Sequence, residues 1–167
     1  ALGRPWHDNP VKQGLVVYIA GEGYGGLARR LAAFEKAHEV SVEGHPLYFS
    51  QQSASLYNHE SAAQVVSAIS ELVEANAEPT LVIIDTLARN FGGGDENSTA
   101  DMTKFIENID RFIRAKFSCT VLIVHHTGHS NKERARGSMV LKAALDFEYR
   151  LDKPASGDPL LVKLVCT

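Results

Sequence analysis

Three apolar runs of strand length punctuate this chain, and each ends in residues that can do chemistry. Leu15-Val16-Val17-Tyr18-Ile19-Ala20 runs into Gly21-Glu22-Gly23. Leu81-Val82-Ile83-Ile84 runs into Asp85-Thr86, and Val121-Leu122-Ile123-Val124 into His125-His126-Thr127-Gly128-His129. The runs are continuous rather than alternating, which is the pattern of strands covered on both faces. Helical patterns separate them, so a mostly parallel α/β sheet with helices on both faces is expected. Open sheets of this kind collect their chemistry at strand carboxyl ends. An acid, a second acid and a histidine pair are therefore expected at one rim.

The intervening segments fit this layout. Residues 1–14 read as loop, broken by Pro5, Pro10 and Gly14. Leu27, Leu31 and Phe34 mark a helix from Gly26 to about His38, and Pro46 to Ser50 a short strand. Val65, Val66, Ile69, Leu72 and Val73 form one stripe of a helix from about Glu60 to Asn76, with Pro79 as its stop. The strand at 80–85 leads into a polar loop, Arg89 to Asn97. Ser98 with Asp101 then opens a helix carrying Met102, Phe105, Ile106, Ile109, Phe112 and Ile113. Ser138 caps a short helix to about Leu145. Phe147–Leu151 and Leu160–Val165 read as a hairpin around Pro154 to Gly157.

A length of 167 residues suits one domain over 1–167 with a real core. A net charge of -3 gives no global signal for nucleic acid, leaving only local basic patches to carry one. Cys119 and Cys166 both fall in apolar runs and read as buried, reduced thiols of a cytoplasmic protein. No run approaches the ~20 apolar residues of a membrane helix, and the start is no signal peptide. Ala1 in place of a methionine points to a processed or truncated product.

The glycine-rich turn has three readings. Gly21, Gly23 and Gly26 fit the G-x-G-x-x-G of a dinucleotide site, which would make the chain an NAD-dependent oxidoreductase. That reading needs an acid closing the next strand. Here Glu39 and Glu43 precede it, and Glu22 sets a negative charge where a pyrophosphate would lie. A ligand-free turn is the second reading. In the third, Glu22 itself is the point, a strand-end carboxylate that takes a proton from an attacking water. Asp85 after four apolar residues is the Walker-B arrangement, with Thr86 beside it, and would hold Mg²⁺ directly or through water. The competing reading of Asp85 is a cap for the next turn.

His125 and His126 face opposite ways if the strand continues, so one can sense a ligand while the other packs. A metal site shared by His126, His129 and Asp85 is the alternative, without a recognised spacing to support it. Lys132, Arg134 and Arg136 gather positive charge in one loop. It reads as solvated surface, as a DNA contact, or as a source of an arginine finger for a neighbouring subunit.

Taken together, residues 3–7, 16–23, 82–91, 93–98, 124–129 and 136–138 resemble RecA-like P-loop ATPases. The likeness is to the plasmid- and phage-type hexameric replicative helicases, often called RepA-like, within the AAA-type group. The resemblance implies a RecA core in which Glu22 is the catalytic carboxylate, Asp85 the Walker-B acid and His125 with His126 the sensor. It makes Arg136 a candidate finger, and Gly21, Gly23, Asp85 and Thr86 part of the ATP and Mg²⁺ site. It also implies DNA and further copies of the chain as partners. In that family the P-loop precedes the segment matching residues 1–14, and no G-x-x-x-x-G-K-[ST] occurs in this sequence. The core is therefore expected to be incomplete, cut at both ends, with weak ATP binding by residues 1–167 alone and an open sheet edge that invites pairing. A non-catalytic module for assembly or binding is the rival. An in-frame P-loop motif upstream in the gene supports the motor, and a start codon just before Ala1 supports the module.

Overall fold

The computed structural model describes residues 1–21, 23–128, 135–155 and 161–167. Four parallel strands form its central sheet in the order β2-β1-β3-β4. They are β1 (Leu15–Ala20), β2 (Leu47–Phe49), β3 (Pro79–Asp85) and β4 (Thr120–Val124). A separate antiparallel hairpin pairs β5 (Tyr149–Asp152) with β6 (Lys163–Cys166). The α/β class, the parallel sheet and the C-terminal hairpin are those expected from the sequence.

Strand order fixes where the helices go. The β1-to-β2 connection through α1 (Tyr24–His38) moves toward one edge. The β2-to-β3 and β3-to-β4 connections move the other way, through α2 (His59–Ala75), α3 (Leu87–Phe91), α4 (Thr99–Ile109) and α5 (Ala115–Phe117). Right-handed crossovers in opposite directions put α1 on one face and the others on the opposite face. The core lies on the second face. Leu15, Val17 and Ile19 of β1 and Val82 and Ile84 of β3 meet Val66, Ile69, Phe91, Met102 and Phe105 there. Phe91 stacks on Phe105 at 4.8 Å between centroids. Asn58 caps α2 by accepting from Glu60 N at 2.9 Å, and Ser98 caps α4 by accepting from Asp101 N.

The α1 face is thinly covered, which corrects the expectation of strands buried on both sides throughout. α1 has no buried residue. On β4, Leu122 is 47% and Val124 37% exposed, while Val121 and Ile123 turn toward the core. The hairpin also leaves Phe147 and Leu151 exposed. Four smaller expectations shift. Helix α2 ends at Ala75 because Asn76 turns extended and its Nδ2 bonds Leu72 O at 2.7 Å, and Pro79 opens β3 instead of stopping the helix. The start of the loop at 89–97 is helical, in α3. The helix from Ser98 passes through a wide π turn at Asp110–Arg114, continuing the stripe that buries Ile113. Cys119 is buried, but Cys166 is exposed on the outer hairpin.

Asn90 ties the core to the rim. It is fully buried; its Oδ1 accepts from Ala54 N and its Nδ2 donates to Thr86 O, both at 2.9 Å. Replacing it removes two buried bonds and leaves Ala54 N–H without its acceptor. Asn90→Ala is expected to lower the unfolding free energy by about 2–3 kcal/mol in urea denaturation.

Candidate functional site

Sheet register brings the strand ends together. Ala20 lies opposite Asp85, and Asp85 opposite Val124. Asp85 therefore reaches the rim level with Ala20 and Val124, and Gly21, Thr86 and His125 follow one residue beyond. Gly21 N donates to Asp85 O, extending the ladder by one bond. A Cβ at Gly21 would meet Arg89 Cβ at 2.2 Å, so the close approach of α3 demands glycine here. Gly23 is the cap of α1 with φ 72°, a left-handed conformation that suits glycine. Glu22, between them, lies outside the described residues.

The Asp85 carboxylate sits half-buried on the α1 face, and the Tyr18 hydroxyl donates to its Oδ2. Burial, then the bond to Asp85 and its negative charge, push the Tyr18 phenol up to about 12, with Arg30 opposing. The Asp85–Thr86 peptide is cis. Thr86 is only 6% exposed. Its carbonyl accepts from Arg89 N, Asn90 N and Asn90 Nδ2, while its buried Oγ1 has no partner among the described residues.

His125 and His126 divide as alternation predicts, although both follow the last residue of β4. His125 is half-buried and His126 exposed. His125 Nε2 lies 2.6 Å from Arg136 O. A carbonyl can only accept, so Nε2 carries the proton and Nδ1 of the neutral ring presents a lone pair. That Nδ1 is buried and unpartnered among the described residues. Thr86 Oγ1 and His125 Nδ1, each one residue past the aligned pair Asp85 and Val124, are thus buried without partners among the described residues, as is Glu96 Oε2. Such atoms are rare in native folds and fit a polar ligand.

Arg136 is bound into its own chain. Its backbone N donates to His126 O at 3.0 Å, and its guanidinium pairs with Glu96 at 2.6 Å. Ser138 N donates to Glu96 O at 2.9 Å. Gly137 has φ 91°, and a Cβ there would meet Glu96 O at 2.8 Å. Glu96 therefore holds the segment whose carbonyl engages His125. Lys132, Arg134 and His129 fall outside the described residues, and so does the test of a His126–His129–Asp85 metal site. No group of three His, Cys, Asp or Glu side chains that could hold a metal occurs among the described residues. A cation at Asp85 would be completed by water and by the ligand's own oxygens, as Mg²⁺ commonly is.

The dinucleotide reading loses support from the turn. Its third glycine should permit close helix–strand packing. A Cβ at Gly26 would meet only Arg30, at 3.8 Å, and one at Gly25 nothing. Sequence reasoning missed three contributors. Tyr18 carried a signal, being the one polar residue in the 15–20 run. Asn90 and Glu96 carried none, because their partners come from other segments.

The family model of the AAA domain matches residues 1–132. The chain belongs to this family. It is an ATPase-type domain of the AAA class, a class that generally works with ATP and Mg²⁺ and whose members often oligomerise and bind nucleic acid. A comparison with curated proteins finds no match. No helix among the described residues is long and apolar enough to cross a membrane.

The Tyr18–Asp85 pair has a pH consequence. The phenol's folded value lies above its ordinary 10.0, so its contribution to stability is complete below pH 10 and is lost as pH rises toward 12. In an alkaline difference titration a tyrosine ionisation near pH 12 is expected from Tyr18. Tyr18→Phe removes that step, and Asp85→Asn moves it to lower pH.

Proposed function

We propose that this chain carries the acid and sensor elements of a RecA-like, Mg²⁺- and ATP-dependent DNA motor of the replicative-helicase type. The reading leans on the juxtaposition at the rim. One acid at the end of a central parallel strand stands level with Ala20 and Val124, and the residues just beyond, Thr86 and His125, carry buried polar atoms without partners among the described residues. Asp85 would hold the cation, directly or through water, with Thr86 Oγ1 as a hydroxyl donor or acceptor beside it. Mg²⁺, when bound, neutralises charge on the nucleotide phosphates. Glu22 would orient the attacking water and take its proton. His125 Nδ1 would accept a hydrogen bond from that water or its shell, or, once protonated, donate to the terminal phosphate.

Arg136 would couple this sensor to the loop that follows, since its carbonyl holds the imidazole while Glu96 holds its guanidinium. Acting as a finger on a neighbouring subunit would require it to leave Glu96. Lys132 and Arg134 remain the nearer candidates for DNA contact. Homo-oligomer formation has independent support in the outer edge of β4, unpaired among the described residues, and its exposed Leu122 and Val124.

Substitution in the full-length gene product tests the roles. Glu22→Gln keeps shape but cannot take a proton, so ATP turnover is expected to fall at least about a hundredfold with ATP binding retained. Asp85→Asn is expected to weaken the Mg²⁺-dependent steps instead. Parental turnover in Glu22→Gln, measured by phosphate release, would overturn the catalytic assignment.

A further inference from the structure

Tyr18 interrupts an otherwise apolar strand, and its neighbours explain why. The β1–β3 register sets Tyr18 opposite Ile83 and Ala20 opposite Asp85. Tyr18 and Asp85 are therefore diagonal neighbours on one face, a separation that a long aromatic side chain spans. The β1–β2 register sets Phe49 opposite Tyr18, and the two rings lie 5.4 Å apart at 38°. The phenol is thus braced by one neighbouring strand and donates to a carboxylate on the other. Nothing in the core requires this. The side chain points to the thinly covered α1 face, where phenylalanine would serve packing equally well.

We propose that Tyr18 is a positioning residue for the acid at this rim, fixing the Asp85 carboxylate through Oδ2 so that Oδ1 is presented to a divalent cation or its bound water. The proposal rests on the reading of Asp85 as the cation-side acid. A carboxylate rotates easily about its last torsion, which is broad and nearly two-fold. Mg²⁺ tolerates little error, because it demands near-octahedral geometry and usually keeps most of its water. One fixed oxygen with a fixed plane is what a single carboxylate must offer such an ion. The phenol suits the task because its hydroxyl is a donor held in place by the ring packed on Phe49. Oriented partners of this kind are worth about 10–100-fold in metal affinity.

The test uses Mn²⁺ as the probe, with ATP, on the full-length gene product, reading free Mn²⁺ by electron paramagnetic resonance. Wild type is compared with Tyr18→Phe and Asp85→Asn, and ATP affinity without metal and melting temperature are measured alongside. Tyr18→Phe keeps the ring against Phe49 and is expected to weaken Mn²⁺ binding about tenfold, with metal-free ATP affinity and melting temperature unchanged. If Asp85→Asn weakens Mn²⁺ binding while Tyr18→Phe does not, the positioning role is wrong and the reading of Asp85 stands. If neither variant weakens it, or wild type binds no Mn²⁺, the reading of Asp85 fails and takes this proposal with it. Loss of metal-free ATP affinity or of melting temperature in Tyr18→Phe would make its role structural and overturn the proposal.

Discussion

Parallel pairing of β1 with β3 is the constraint on which the rest of this structure depends. Six residue pairs from Leu15–Pro79 to Ala20–Asp85 set it, with one irregularity near Leu15. That register does two jobs through the alternation of side chains. It sends Leu15, Val17, Ile19, Val82 and Ile84 into the core, and on the other face it sets Tyr18 within reach of Asp85. A one-residue slip would turn both sets over together. The stability of the core and the geometry of the rim are thus one choice of register, and burial of five aliphatic side chains enforces the placement of one carboxylate.

Behind the acid, the chain is tied into the core. The Thr86 carbonyl is anchored by three donors from α3, and Asn90 carries that anchorage into the core. Thr86 Oγ1 and His125 Nδ1 are buried without partners among the described residues. Buried polar atoms left unsatisfied at the end of the sheet carry a cost that a polar ligand there can recover.

The segment after β4 is read differently in three dimensions than in sequence. As a string it is a basic loop, with Arg136 one cation among three. In the fold, Arg136 gives its carbonyl to His125, its amide to His126 and its guanidinium to Glu96, so it is a brace before it is a surface charge. The Glu96 partnership spans forty residues and crosses from the loop before α4, which no local pattern can announce.

The sequence by itself determined the fold class, the three strand ends at a common rim and the caps at Ser98 and Ser138. These rest on short-range physics: continuous apolar runs, the 3.6-residue period and side chains that bond their own helix starts. Tertiary structure alone decided the register that aligns Ala20, Asp85 and Val124, the exposure of Leu122 and Val124, and the exposed position of Cys166. It also decided which polar residues support the site. Tyr18 bonds an acid 67 residues away and Asn90 an amide 36 residues away. Such partners are chosen by the packing of separate segments, and their identities leave no periodic trace in the chain.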